Sequence, residues 1–386
     1  MIDTASLHRK EFEIDDGSER IVIAESPGRL HFLGDHGQPD NGIFLTSGVD
    51  RVVRVAVSLR KDSSLRFFTA EIGERKRSSL ANLRYKREDR WANYCKAALN
   101  VFANLGCELK GVNFTISGDI PQHISLSSSS AIEVASALAL RRLLLPSLSD
   151  KDLICKLAAS HAEFYNGKNR IVDYLTMVCA KKDHFLIIDE ATLDVKRIKN
   201  PFTKYKILLL DSRVPLIDAE SELKLRRKEI EKGFELLNAK NKAKSFKEFN
   251  KDDLDELMGS LNEEVRRRSL FVIQENERVL ESEKWLIDAD KDVFSRDIFH
   301  SHEGLRDLFE VSCPEIDWLV KRAQEIPGVI GARMTGKGFG GCVYVIIAST
   351  AVEEYESKMD DYERIFGFRP VIYEIHLSGA AKLLVK

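Results

Sequence analysis

Residues 331–347 read GARMTGKGFGGCVYVII, with Gly336, Gly338, Gly340 and Gly341 inside six residues, just before an apolar, β-branched run. Glycine gives up more conformational freedom on folding than any other residue. Such density therefore marks backbone that needs positive φ or lies where no Cβ fits. A tight turn feeding a buried strand meets that need, and so does a loop pressed against a ligand.

A chain of 386 residues exceeds what one hydrophobic core usually supports, so two domains or one bilobed unit are expected. A formal charge of -2 provides no global attraction to nucleic acid or to an anionic membrane. The six cysteines lie without CxxC or zinc-ligand spacing, several within apolar runs, and read as reduced thiols of a cytoplasmic protein. The first twenty residues are polar and mixed in charge, and no window approaches about 18 uninterrupted apolar residues, so neither a signal peptide nor a membrane span is expected.

Period-2 alternation over 20–75 predicts strands, with turns expected at Ser26-Pro27-Gly28, at 39–42 and at 61–64. Residues 90–106 carry helical apolar spacing and stop at Gly106; the strand GVNFTISGD follows. A serine-rich loop then opens a long apolar helix, with Ser130 and Glu133 at capping-box spacing. Pro201 breaks the pattern before the strand ILLLDS, which suggests domains of 1–204 and 205–386. Residues 220–290 read as heavily charged helix whose basic clusters, interleaved with acids, form solvated faces.

Three further segments can carry chemistry. A helix N-terminus has unpaired N–H groups and partial positive charge, so the serine loop can wrap a phosphate, and its hydroxyls can ligate Mg²⁺; it can equally be a plain N-cap. Residues 26–42 concentrate Arg29, Asp35 and His36 in a loop between strands, where recognition groups or merely solvated charges collect. Residues 163–173 hold Glu163 and Asp173 at either end of a polar segment, as a metal carboxylate and a hydroxyl partner or as helix-terminal charges. Neither GxxxxGK[ST] nor a strand-following GxGxxG is present.

Taken together, SPGR (26–29), PQHISLSSSSA (121–131) and TGKGFGGC (335–342) resemble the three signature motifs of the GHMP small-molecule kinases. Within that superfamily SPGRLHFLGDHGQPDNG (26–42), WANYCK (91–96), SELKLRRKE (221–229), SHEGLRDLFEVSCPEIDWLV (301–320) and ARMTGKGFGGC (332–342) are similar to galactokinase segments, and the resemblance runs over about residues 20–386. It implies an α+β, two-domain GHMP kinase fold: a ribosomal-protein-S5-like N-terminal domain, a ferredoxin-like C-terminal domain and an active site in the cleft between them. It also implies an ATP- and Mg²⁺-dependent transfer to the anomeric hydroxyl of galactose or a related sugar or sugar acid, by a monomer or weak homo-oligomer. Carried over, Asp173 faces the acceptor hydroxyl and Arg29 is its electrostatic partner. Asp35, His36, Gln38 and Leu223 contact the sugar. Trp91 and Tyr94 line the adenine side, Ser125, Ser127, Ser128 and Ser129 cradle the phosphates, and Gly336 and Gly338 support them. Ser128, Ser129 and Glu163 hold Mg²⁺.

The chain departs from the galactokinase pattern in four places. His123, Ile124 and Ser125 stand where the family's phosphate loop usually carries glycine, which leaves less room for backbone to approach phosphate. The family's GEHTDY becomes GDHGQP, so Asp35 is one methylene shorter and Gln38 supplies an amide, which donates as well as accepts. Leu223 replaces a tyrosine commonly turned to the sugar. The stretch from Glu163 to Asp173 is shorter than usual. A non-catalytic, ligand-binding relative is the alternative reading; the retained Arg29, Asp173 and TGKGFGGC loop favour the kinase.

Overall fold

A computed structural model describes residues 3–15, 20–36, 41–121, 124–167, 170–215, 219–239, 243–256 and 261–384. The first half runs α1 (Thr4–Phe12), β1 (Val22–Leu33), β2 (Ile43–Leu59), β3 (Ser64–Thr69), β4 (Glu74–Ser79), α2 (Ala92–Asn104), β5 (Val112–Gly118), α3 (Ser128–Leu144), α4 (Asp150–Tyr165), α5 (Ile171–Cys179), β6 (His184–Asp189) and β7 (Asp194–Lys199). The second continues with β8 (Tyr205–Asp211), α6 (Ala219–Leu237), α7 (Lys251–Asp255), α8 (Glu263–Ile287), α9 (Lys291–Asp307), α10 (Pro314–Gln324), β9 (Val329–Thr335), β10 (Cys342–Ala348), α11 (Val352–Ser357), α12 (Met359–Phe366) and β11 (Val371–Ile375), before β12 (Lys382–Leu383). One sheet has the order β12-β1-β2-β5-β3-β4, with β6 on β2 and β7 beyond it; the other is β11-β8-β10-β9, antiparallel throughout. The second sheet opens at Tyr205, but the chain end returns to the first, through a Val49–Leu377 bridge and β12 on β1.

Three apolar clusters hold this arrangement. One fills the first half around α2 and α3, including Phe102, Phe114 and Leu138; another lies in the second half around Phe271, Ile316 and Tyr362. The third joins the halves, packing Leu30 and Phe32 of β1 with Leu209, Tyr344 and Ile346 of the second sheet. Burial of apolar area at that seam ties the two sheets together, which sets what can sit in the cleft beside it.

The structure corrects three expectations. Ser26-Pro27-Gly28 is not a turn: β1 passes straight through, and its register against β2 slips between Pro27 and Gly28. A bulge absorbs the proline's missing donor, and a Cβ on Gly28 would lie only 3.1 Å from the Leu126 carbonyl, so the strand touches the serine loop here. The capping box does not form. Ser127 is the N-cap and makes no side-chain cap bond, while Ser130 and Glu133 lie inside α3 and are drawn to tertiary partners. Nor are the basic clusters of α6 and α8 wholly solvated. Arg226 and Arg268 turn inward, Arg226 Nε to the Phe309 carbonyl at 3.0 Å and Arg268 Nε to Glu229 at 3.1 Å.

At the far side of the first sheet, α1 docks through His8, whose ring nitrogens lie 2.9 Å from Thr115 Oγ1 and 3.0 Å from Ser58 Oγ. Burial, then the charge of Arg9, holds this imidazole at about 3, so it stays neutral when folded and takes up its proton only on unfolding. The stability it supports is present above about pH 6.5 and is lost as pH falls from there toward 3. Between about pH 6.5 and pH 5 the wild type should lose up to about 2 kcal/mol more than His8→Gln, read by denaturant unfolding at each pH.

Candidate active site

Polar groups from two other stretches of the chain converge on Asp173. It sits in the first turn of α5, where Arg29 Nε donates to Oδ1 at 2.6 Å and the Ser127 and Ser130 hydroxyls each donate to Oδ2 at 3.0 Å. Arg29 is held in turn by the Ser125 carbonyl, 2.9 Å from Nη1. Burial by itself would raise the Asp173 carboxyl, but the charges of Arg29 and His31 outweigh it and keep it well below the usual carboxylate range. Asp173 is therefore an anion with its lone pairs aimed by three donors. Ser127, a non-glycine residue, adopts left-handed φ 55, ψ 49 to make its bond, backbone strain of about 1–3 kcal/mol stored at the site.

Sequence reasoning missed His31. It lies two residues from Arg29 on one strand and so shares its face, which was the available signal. Its Nδ1 donates to Asp35 Oδ1 at 2.6 Å, while its buried Nε2 lies 3.5 Å from Asp173 Oδ1 without a hydrogen bond. Asp35 also has Arg333 Nη1, Thr335 Oγ1 and the Gly336 N–H 3.5 Å from Oδ2. Burial pushes the Asp35 carboxyl up, but His31 and then Arg333 hold it far below the usual range. Behind it Arg333 Nη2 pairs with the fully buried Glu275 at 3.0 Å, and the Gly34 N–H donates to the same carboxylate at 2.9 Å. The loop after β1 is thus anchored to β9 and α8 of the second half.

The glycine loop lies on the serine loop. Gly336 has φ 99, and a Cβ there would fall 2.1 Å from Ser125 Oγ; Gly338 has φ 87 and would meet the Val311 carbonyl at 2.7 Å. His36 Nε2 donates to the Gly336 carbonyl at 2.8 Å. Leu223 is buried in the apolar core of the second half, and Gln38 and His123 lie outside the described residues.

A cavity of ≈ 750 Å³ opens beside the start of α3, within the size range of small-molecule sites. Its lining runs from Trp91, Tyr94, Tyr85 and Tyr165 to Ser128 and Ser129. Trp91 Nε1 donates to Glu74 at 2.6 Å, and the Tyr94 and Tyr165 rings stack with centroids 5.9 Å apart. The serines therefore divide their work: Ser128 and Ser129 face this cavity, Ser127 and Ser130 hold Asp173, and Ser125 meets the glycine loop. Glu163 is not brought to them. It is exposed on α4 and accepts from Asn104 Nδ2 at 3.1 Å, because its helical phase turns it to solvent while His161, two residues earlier, is buried. The buried carboxyl nearest in sequence to the loop is Glu133, and both of its oxygens are taken, by His161 Nδ1 at 2.8 Å and by the Tyr174 hydroxyl. The Arg170 guanidinium donates to Ser129 Oγ, and to Ser130 Oγ at 3.2 Å. Among the described residues there is no group of three His, Cys, Asp or Glu side chains that could hold a metal ion, and neither Glu163, turned to solvent, nor Glu133, bonded on both oxygens, offers a carboxylate to the start of α3.

Two family models match the chain, the GHMP kinases N-terminal domain over residues 93–180 and the GHMP kinases C-terminal domain over 287–362. It is 33% identical over 359 residues to the galactokinase of Thermotoga maritima, covering 93% of this chain and 99% of the relative. The chain belongs to the galactokinase family of GHMP kinases. The galactokinase of Thermosipho africanus is 32% identical over 362 residues, covering 93% of this chain and 99% of that one. In fold the molecule matches a crystal structure of Lactococcus lactis galactokinase complexed with galactose, with a TM-score of 0.90 at 23% identity over 98% of this chain and 99% of the other. This galactokinase-family member is a sugar kinase with the α+β two-domain GHMP fold, acting on a small molecule. No helix among the described residues is long and apolar enough to cross a membrane.

Proposed function

We propose that the chain transfers the terminal phosphoryl group of ATP to the anomeric hydroxyl of galactose or a closely related sugar, with the hydroxyl lodged against Asp173. The observation that carries this reading is the Asp173 constellation: an anion fixed by Arg29, Ser127 and Ser130 beside a helix N-terminus and an aromatic cavity. The purine takes the aromatic cavity between Trp91 and Tyr94, and the phosphates extend toward Ser128 and Ser129. Asp35 and His36 meet the sugar from the loop after β1. Any Mg²⁺ arrives as the ATP chelate. All six cysteines are free, in keeping with a reducing cytoplasm.

A carboxyl held this low is a poor general base at neutral pH, where the best catalytic pKa lies near the working pH. Asp173 therefore orients and polarises the acceptor hydroxyl and receives its proton late. That suits a loose phosphoryl transition state, which asks for positioning and charge neutralisation more than for an early proton transfer. Arg29 holds the carboxylate in place and supplies positive charge where charge spreads. Purified protein with Mg-ATP should release ADP in the presence of galactose or another member of a monosaccharide panel. ADP release that stays at the sugar-free background throughout the panel would transfer the reading to a ligand-binding relative without turnover.

A further inference from the structure

The start of α3 is occupied by a cation that the kinase reading leaves without a task. Arg170 precedes α5, is partly buried, and spends Nη1 on two neutral hydroxyls, those of Ser129 and Ser130. No carboxylate among the described residues pairs with its guanidinium within 4.0 Å; the close ion pairs of Asp173 and Glu133 go to Arg29 and His161. Burial works against that charge, yet Glu133 and Asp173 at longer range more than restore it, and Arg170 stays fully protonated. Ser129, which it touches, also lines the aromatic cavity.

The carboxyls that could tether a metal here are turned away from the task. Glu163 faces solvent, and Glu133 is capped on both oxygens by His161 and Tyr174. A second cation sharing the Ser129 hydroxyl with Arg170 would be repelled at close range. A phosphate would be attracted by the same group, because guanidinium presents a planar fork of donors suited to phosphate oxygens and cannot lose its proton. The unpaired N–H groups at the start of α3 would add to that attraction.

We propose that Arg170 is a phosphate-binding residue that holds the nucleotide's phosphate chain at the start of α3, in the role a protein carboxylate with magnesium would otherwise play. This rests on the nucleotide reading of the aromatic cavity given above. It makes triphosphate affinity depend on a side chain rather than on a protein-held metal, and it places Arg170 and Arg29 on either side of Asp173, where transferring charge is neutralised.

Isothermal titration of ATP and of AMP tests it, on the full chain and on Arg170→Gln and Arg170→Lys, each with magnesium and with EDTA. The wild type should bind ATP in EDTA within about fivefold of its affinity with magnesium. Arg170→Gln should weaken ATP at least about tenfold in EDTA, the scale of one lost charge-assisted bond, while AMP changes less than about twofold. Arg170→Lys should recover part of the loss. Unaltered AMP binding shows that the variant cavity is folded. The proposal is overturned if the wild type loses ATP more than about tenfold on magnesium removal, or if Arg170→Gln binds ATP as the wild type does. Wild-type ATP binding absent under both conditions would instead remove the nucleotide reading of the cavity, and this proposal with it; sugar-dependent ADP release in the wild type distinguishes the two failures.

Discussion

Asp173→Asn is expected to lower sugar-dependent ADP release at least about 100-fold, the lower end of what a positioned proton acceptor contributes. The amide keeps one acceptor oxygen but turns two N–H donors toward a site already crowded with donors: Arg29 Nε and the Ser127 and Ser130 hydroxyls. The acceptor hydroxyl then loses its partner, and Arg29 loses the charge that fixes it. Leaving that guanidinium partly uncompensated should cost about 1–3 kcal/mol of stability, so the variant remains folded at room temperature. A coupled ADP assay and a thermal melt on the same preparation check both parts. Retention of more than a tenth of wild-type turnover would show that Asp173 does not meet the acceptor hydroxyl.

The largest stability effect is expected from Arg333→Met. Arg333 and Glu275 are both fully buried, and removing one partner leaves the other as an uncompensated charge in an apolar surrounding, at a cost of about 3–5 kcal/mol. Arg278 and Ser301 still reach Glu275, which keeps the loss toward the lower end of that range. Chemical denaturation of Arg333→Met against the wild type measures the loss, and adding Glu275→Gln should recover part of it, since the stranded charge is then gone. A loss under about 1 kcal/mol would show that the network carries no net stability. Because Arg333 also faces Asp35, the variant should lose sugar affinity along with stability. The sign of the acid response follows the same way: the Asp35 and Asp173 carboxyls lie below their usual range when folded, so the stability they support is present above about pH 4 and drains away as pH falls below it.

Much of the architecture was legible along the chain. The alternation that predicted strands over 20–75 returns as β1 to β3, and the helical spacing that stops at Gly106 returns as α2. These are local signals, set by side-chain period and by turn residues, and tertiary packing reinforces them. The Ser26-Pro27-Gly28 signal misled, because proline and glycine mark a bulge as readily as a turn. Only the partner strand and the Leu126 carbonyl decide between the two. The capping-box pattern at Ser130 and Glu133 misled for a related reason: each side chain had a stronger partner far along the chain, Asp173 for one and His161 with Tyr174 for the other.

The site divides along the same line. Residue types and motif order were enough to bring Arg29, Asp173, Asp35 and the two glycine and serine loops forward as candidates, because each sits in a local pattern that can be read without neighbours. Which charge faces which was not readable. Glu163 and His161 differ by two positions on one helix, and only the packing of α4 decides that one is solvated and the other buried against Glu133. His31 and Arg170 acquire meaning only once β1, α3 and α5 converge. By itself the sequence determined the family, the elements and the glycine loop, since these depend on period, turn chemistry and close backbone approach. Tertiary structure alone decided the electrostatics of the site, because a charge's worth is set by what lies within a few ångströms of it, and those neighbours come from separate stretches of the chain, as Arg29 does for Asp173 and Asp35 for Arg333.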